Sequence, residues 1–283
     1  MNKNLSTQKM VSSRESFDKT LIQRDPERVT KLPISLVIIT LNEEAHIERC
    51  IRSAPFVDDI VVVDSFSTDR TVEIAKECGA RVFQEKWKGY GPQKAFAADQ
   101  ARHPWILSLD ADEALSPELA AEIMQRFVDL DAEAGYLFPR KSFHLGRWIE
   151  HGGWYPDYQL RLFNKDKSQW NSAALHEKVE VKRKLKMKRD LLHWVFDDLS
   201  DQVVTNDKYS TLGARQLADS GKSFSYSKLI FKPWSKFVET YFFKRGFMDG
   251  LPGFIISVGA AYSVFLKFAK LWEMQRVQKK SSK

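Results

Sequence analysis

Three near-continuous apolar runs, each closing on a hydroxyl or acidic residue, constrain this chain more than any other feature. They are Ile34-Ser35-Leu36-Val37-Ile38-Ile39-Thr40, Ile60-Val61-Val62-Val63-Asp64 and Trp105-Ile106-Leu107-Ser108-Leu109-Asp110. Runs that are apolar at almost every position suit strands buried on both faces, as in a parallel sheet. After the first run, Ile47, Cys50, Ile51 and Ala54 fall at i, i+3, i+4 and i+7, which predicts a helix with one stripe against the sheet, ending by Pro55. Thr71, Ile74, Ala75 and Cys78 repeat that stripe before Gly79, Arg81-Val82-Phe83 reads as a short strand, and an alanine-rich helix follows a loop holding Gly89, Gly91 and Lys94. This alternation predicts an α/β sheet with parallel strands. Such sheets bind ligands beyond the carboxyl ends of their strands, where Asn42, Asp64 and Asp110 fall.

From Gly135 the texture is shorter: GYLFP, QLRLF, VEV and KLKMK read as strands with one solvated face. Beyond about residue 200 helical periodicity returns. Residues 1–31 are polar, show no sustained apolar periodicity and are expected to form a mobile tail. The expected organisation is therefore a tail over 1–31, an α/β domain over 32–200 and a helical region over 201–283. With 43% hydrophobic and 29% charged residues, a disordered chain is excluded. Two cysteines, Cys50 and Cys78, both on helical stripes, fit a reducing compartment. The first residues lack the apolar block of a secretory signal, so the expected location is cytoplasmic.

Asp110-Ala111-Asp112-Glu113 follows directly on a buried strand. Two carboxylates one residue apart at a strand end can turn toward one hard cation, and oxygen ligands suit Mg²⁺ or Mn²⁺. The alternative is that these acids cap the next helix. Ser116-Pro117-Glu118 already supplies an N-cap, a proline at N1 and a first-turn acid, which leaves Asp110 and Asp112 free for chemistry.

The ordered set TLNEE, VVDSFSTDRT and SLDADE closely resembles the nucleotide-diphosphate-sugar (GT-A) fold of family 2 glycosyltransferases over about residues 33–200. Within it GYGPQK, GWYPDYQLRLF and LHEKV resemble the bacterial lipopolysaccharide core β-1,4-glucosyltransferase-like branch. The resemblance implies that Thr40, Asn42 and Glu43 line the nucleotide pocket and that Asp64 accepts hydrogen bonds from uracil or ribose, which are donors there. It implies a divalent cation on Asp112, with Asp110 helping, and an inverting transfer from a UDP-hexose, glucose in the nearest branch.

An acceptor hydroxyl must lose its proton as it attacks, and the candidate base is Asp157 in Trp154-Tyr155-Pro156-Asp157-Tyr158. Gln159 and Arg161 follow at alternate positions of one strand and so share its face, with Arg161 suited to a phosphate or an orienting ion pair. Trp154 and Tyr158 either stack on sugar faces or pack the core. His176 either completes the metal sphere or is structural, and Lys94 either reaches the donor phosphates or is solvated.

Residues 178–283 carry a net charge of +11, against −4 for residues 1–177. Phe231, Trp234, Phe237, Tyr241, Phe242, Phe243, Phe247 and Phe254 are interleaved with Lys232, Lys236, Lys244, Arg245, Lys267 and Lys270, a composition suited to an anionic membrane interface. The basic run from Lys182 to Arg189 adds attraction to such a surface. The uncharged stretch from Gly250 to Leu266 is 17 residues, short of the ~20 needed to span a bilayer. The expected location is thus peripheral, on the inner face of the cytoplasmic membrane, with a lipid-linked saccharide as acceptor and no nucleic acid as partner. The rivals are a nucleotidyltransferase, disfavoured because TLNEE lacks a glycine-rich phosphate loop, and a saccharide-binding scaffold without turnover.

Overall fold

The computed structural model describes residues 30–170, 179–196 and 198–281, which divide into two compact units. The first holds residues up to Arg140 together with Asp157–His193. Its elements are β1 (Leu32–Thr40), α1 (Ile47–Arg52), β2 (Val57–Asp64), α2 (Thr71–Glu77), β3 (Arg81–Gln84), α3 (Tyr90–Asp99), β4 (Trp105–Asp110), β5 (Glu113–Leu115) and α4 (Pro117–Arg126). There follow β6 (Ala134–His144), whose last residues belong to the second unit, then β7 (Arg147–Ile149), also there, and β8 (Asp157–Asn164). The short strands β9 (Gln169–Trp170), β10 (Val179–Glu180), β11 (Arg183–Lys186) and β12 (Leu191–Trp194) complete the set.

The sheet runs β3-β2-β1-β4-β8-β6-β12-β5. β3, β2, β1 and β4 are mutually parallel, whereas β8 is antiparallel to both β4 and β6. The parallel block is what the three apolar runs predict, since each is covered on both faces. Ile34, Leu36 and Ile38 pack with Ile47, Cys50, Ile51 and Ala75 on one side, while Val37, Ile39, Val61 and Val63 meet Ala97 and Ala98 of α3 on the other. Full burial of each Val, Leu or Ile side chain among these stabilises the fold by about 1.5–3 kcal/mol. Ser116 caps α4 as predicted, its side chain accepting from Leu119 N with Pro117 at N1.

Two local expectations change. Gly91 and Lys94 belong to α3, not to the loop, because the turn needs only Gly89, which sits at φ 110°. In KLKMK only Met187 is buried; Leu185 is exposed, since β11 pairs along a sheet margin with all four residues open to solvent.

The second unit holds Lys141–Pro156 and Trp194 onward. In it β7 folds back on the end of β6 through Leu145 and Gly146, both at positive φ. Three helices follow: α5 (Leu199–Asp219), α6 (Tyr226–Val238) and α7 (Gly250–Ser281). Ala214 of α5 packs with Phe268 and Leu271 of α7, and Lys270 of α7 donates to Asp207 Oδ1 (2.6 Å), Ser210 Oγ (2.9 Å) and Thr211 Oγ1 (2.7 Å) of α5. Asp249, almost fully buried, accepts from the backbone N–H groups of Glu150 and His151 (3.2 and 2.8 Å) and faces the His151 ring at 3.1 Å. A Cβ on Gly253 would lie 1.9 Å from the Gly246 carbonyl oxygen, so this turn closes only on glycine.

The uncharged segment from Gly250 is part of a longer apolar helix than the sequence suggests. Gly246–Val277 is helical over 32 residues, long and apolar enough by length and composition alone to cross a membrane. Rings of Trp234, Phe237, Tyr241, Phe242, Phe247 and Phe254 form a continuous chain of contacts with centroid separations of 5.1–6.3 Å. Ile230, Phe231, Trp234 and Phe243 of this region are between 63% and 80% exposed.

Candidate active site

Register brings the polar strand ends together. Thr40 lies opposite Asp64 and Ile39 opposite Asp110, so β1, β2 and β4 finish flush on one edge of the sheet. The loops after β1 and β2 are then laced by side chains. Asn42, held at φ 55°, accepts from Thr68 N (2.8 Å) and donates its own N–H to Ser67 Oγ (2.8 Å). Glu43 N donates to Thr71 Oγ1 (2.7 Å), Glu44 N to Asp69 Oδ2 (3.2 Å), and Arg70 N returns to Glu44 Oε2 (3.0 Å).

Asp64 is fully buried, accepts from Ser67 N (3.0 Å) and the Ser67 hydroxyl, and stands 3.4 Å from Gln84 Nε2. Beside it in the ladder, Thr40 Oγ1 is buried and has no hydrogen-bond partner among the described residues. A buried hydroxyl left without a partner at a strand end calls for a polar ligand.

At the end of β4 a line of alternating charges begins. Lys94 Nζ lies 2.6 Å from Asp110 Oδ1, and Arg161 Nη2 lies 2.5 Å from Asp110 Oδ2 and 2.6 Å from Glu113 Oε1. Arg140 spans from Glu113 Oε1 (3.2 Å) to Asp157 Oδ2, which it meets with Nη2 at 2.6 Å and Nε at 3.0 Å. Gln159 Nε2 donates to Asp157 Oδ1 at 2.8 Å. Burial opposes ionisation of Asp110, but the Arg161 guanidinium and Lys94 ammonium outweigh it and hold its carboxyl well below the usual carboxylate range.

Asp112 points elsewhere: its Oδ2 lies 3.2 Å from His193 Nε2 of β12, and its side chain is 29% exposed. Cys50 donates to the Asp110 carbonyl (3.4 Å), and burial, with Glu113, Asp112 and Asp110 nearby, pushes its thiol up, so it is an inert core group. Among the described residues no three or more His, Cys, Asp or Glu side chains gather as a ready-made metal cage.

Of the residues singled out from sequence, Lys94, Asp110, Arg161, Gln159 and Asp157 thus join one network, and Thr40, Asn42, Glu43 and Asp64 lie on the neighbouring strand ends. Tyr158 carries the Lys186 ammonium 4.0 Å above its ring. Trp154, in the second unit, stacks on His144 (5.8 Å, 18°) and meets Phe196 edge-on, so its ring is engaged in packing. His176 lies outside the described residues. Sequence reasoning missed Glu113, Arg140 and His193. Glu113 was in view as the third acid of its tetrapeptide, and an arginine closing the buried run GYLFP was a signal for a buried partner.

Residues 35–181 match the family described as Glycosyl transferase family 2. The lipopolysaccharide core biosynthesis glycosyltransferase LpsC of Rhizobium meliloti is 34% identical over 253 residues, 87% of this chain and 94% of that protein. Among solved structures, glucosyl-3-phosphoglycerate synthase from Mycobacterium tuberculosis with Mn²⁺, UDP and glucosyl-3-phosphoglycerate is 28% identical over 42% of this chain and 46% of that one, with a TM-score of 0.32. S. aureus TarS with UDP-GlcNAc is 14% identical over 87% and 92%, with a TM-score of 0.44. A mixed sheet whose parallel strands end flush in acids, a family match over half the chain and a relative alike along nearly its whole length lead to one conclusion: the chain belongs to glycosyltransferase family 2, has the GT-A fold and is a glycosyltransferase.

Proposed function

We propose that the enzyme moves a hexose, glucose by preference, from a UDP-sugar to a lipid-linked saccharide such as a lipopolysaccharide inner core, with inversion at the anomeric carbon. The observation that carries this reading is the flush edge, where β1, β2 and β4 end together with buried Asp64, orphaned Thr40 Oγ1 and the Lys94–Asp110–Arg161 cluster at their ends. In this reading Asp64 and Thr40 take uracil N3–H or ribose hydroxyls, and Asn42 and Glu43 shape the loop wall. Lys94 and Arg161 stand as two cations beside the position of the diphosphate. Asp157 accepts the proton of the acceptor hydroxyl as that oxygen bonds to the anomeric carbon and the bond to the diphosphate breaks. Because no protein nucleophile intervenes, an α-linked donor gives a β-linked product. A positioned carboxylate base contributes about 10²–10⁴-fold.

The donor set suits a divalent cation shared with substrate. Asp112 is part-exposed and, among the described residues, no Lys or Arg is ion-paired with it, whereas Asp110 is already neutralised by two cations. A cation such as Mg²⁺ is commonly held by one or two carboxylates plus substrate phosphates, so an all-protein cage is not required. Asp112 is its principal holder, with Asp110 and His176 as further candidates. When bound, the cation offsets charge on the departing diphosphate.

The acceptor side is assigned to a membrane. The exposed aromatic chain of the second unit, flanked by Lys228, Lys232, Lys244 and Arg245, favours an anionic interface on the cytoplasmic side. Interfacial rather than spanning association is favoured by Lys270, whose ammonium ties α7 to polar groups of α5, a helix carrying exposed Asp201, Lys208, Arg215 and Asp219.

The test is a donor screen with UDP-glucose, UDP-galactose, UDP-N-acetylglucosamine and GDP-mannose on membrane lipid extract, with product anomers read by NMR. A β-linked product from UDP-glucose is expected. An α-linked product would withdraw the inverting mechanism, and preference for GDP-mannose would withdraw the UDP pocket.

A further inference from the structure

The centre of the charge network is a residue to which no role has been given. Glu113 has no exposed surface, yet its carboxylate takes three donors: Arg161 Nη2 (2.6 Å) and Arg140 Nη1 (3.2 Å) on Oε1, and the backbone N–H of Asp110 (3.1 Å) on Oε2. Each arginine uses its remaining reach on an acid nearer solvent. Arg161, 7% exposed, holds Asp110, and Arg140, 22% exposed, holds Asp157. The outer oxygens of those two acids are fixed in turn by Lys94 and Gln159.

A buried carboxylate that shares its charge between two guanidiniums does more than fill space. Without it the two cations repel across a medium of low polarity, and each is left leaning on its outer acid alone. The backbone hydrogen bond to Asp110 ties the same carboxylate to the strand end that faces the donor. Glu113 therefore sets where Asp110 and Asp157 stand, through one shared nitrogen of Arg161 on the donor side and the fork of Arg140 on the other.

We infer that Glu113 is the positioning residue of the transfer reaction, bracketing the donor-side acid Asp110 and the base Asp157 through Arg161 and Arg140. This rests on the assignment of Asp157 as base. Glu113 touches neither substrate; it acts by holding the two arginines, and through them the distance over which the acceptor oxygen must meet the anomeric carbon. Loss of such placement is worth about 10²-fold in turnover.

The experiment compares Glu113→Gln, Arg140→Lys, the double variant and Asp157→Asn in the full chain, with kcat and donor KM from UDP release and melting temperature as the folding control. Glu113→Gln keeps the side-chain shape and is expected to lower kcat about 10²-fold while donor KM stays within about threefold. Adding Arg140→Lys is expected to cost little more, because both changes break one bracket. A kcat for Glu113→Gln within about threefold of wild type overturns the inference, as does a fully additive double variant. If Glu113→Gln melts well below wild type, Arg140→Lys alone decides, since it keeps the charge and loses the fork: reduced kcat supports the bracket and unchanged kcat overturns it. Activity retained in Asp157→Asn withdraws the base assignment instead. Activity lost there with Glu113→Gln unimpaired withdraws the bracket alone.

Discussion

Arg140 grips a single oxygen of Asp157 with two nitrogens, Nη2 at 2.6 Å and Nε at 3.0 Å, and leaves the other oxygen to Gln159. A carboxylate held this way has one fixed orientation, which is what proton abstraction in a narrow geometry requires. Asp157→Asn preserves the shape and removes the proposed base. Turnover is expected to fall about 10²–10⁴-fold with little change in melting temperature, measured as UDP release from saturating donor and acceptor.

Asp112 and His193 give a metal prediction that does not depend on turnover. Wild-type enzyme is expected to bind UDP more tightly in calorimetry with Mn²⁺ than with a chelator. Asp112→Ala should abolish that difference. His193→Ala, which removes the ring lying 3.2 Å from Asp112, should weaken the Mn²⁺ response about 10–100-fold. An Asp112→Ala protein that keeps the full Mn²⁺ response would place the cation elsewhere.

Asp59 on β2 tests the fold and its pH dependence together. It is 1% exposed and accepts from Arg81 (2.9 Å), Ser35 Oγ (2.7 Å) and Arg102 N (2.9 Å). Burial raises its pKa, but the Arg102 backbone, Ser35 and Arg81 bonds together take it below the ordinary value. A depressed folded pKa gives stability that is present above the unfolded value near ~3.9 and is lost as pH falls through the folded one. Asp59→Asn should therefore cost about 3–5 kcal/mol at neutral pH in denaturant melts, with the gap to wild type closing only below pH ~4.

The turn at Gly253 offers a steric test of the second unit. Alanine there places a methyl 1.9 Å from the Gly246 carbonyl, which no side-chain adjustment relieves. Gly253→Ala should destabilise this unit by at least ~1–3 kcal/mol, read as a lowered melting temperature and faster proteolysis after residue 194.

The aromatic chain predicts lipid binding with a salt signature. The protein should sediment with vesicles containing phosphatidylglycerol but weakly with phosphatidylcholine alone. Trp234→Ala with Phe243→Ala, both rings largely exposed, should lower that partitioning more than about tenfold. Equal binding to both vesicle types would remove the charge argument. Retention in the membrane after a high-salt, alkaline wash would show that α7 spans it.

Much of the first unit was legible because its signal is local. Near-continuous apolar runs and i, i+3, i+4 stripes report burial directly, and β1, β2, β3 and β4 lie where Ile34–Thr40, Ile60–Asp64, Arg81–Phe83 and Trp105–Asp110 had put them. Period-two placement also put Asp157, Gln159 and Arg161 on one face of β8, which the Gln159–Asp157 bond reflects. The partnership of Glu113 with Arg140 and Arg161 was not legible, since it joins residues 27 and 48 positions apart through strands whose neighbours only the sheet order reveals. Nor was the siding of 141–156 with the C-terminal helices, because the buried Asp249 that clamps residues 150 and 151 looks in sequence like an ordinary surface acid before a glycine.

The lacing between the loops after β1 and β2 has a consequence for how such an enzyme diversifies. Asn42, Ser67, Thr71 and Asp69 bind two strand ends into one prefabricated wall, so whatever docks there meets a shape already set and little ordering cost remains. Changes in the transferred group or its recipient can then be met by residues outside these two loops, while the wall stays as it is. Inheritance of the one and drift of the other become separable histories within a single polypeptide.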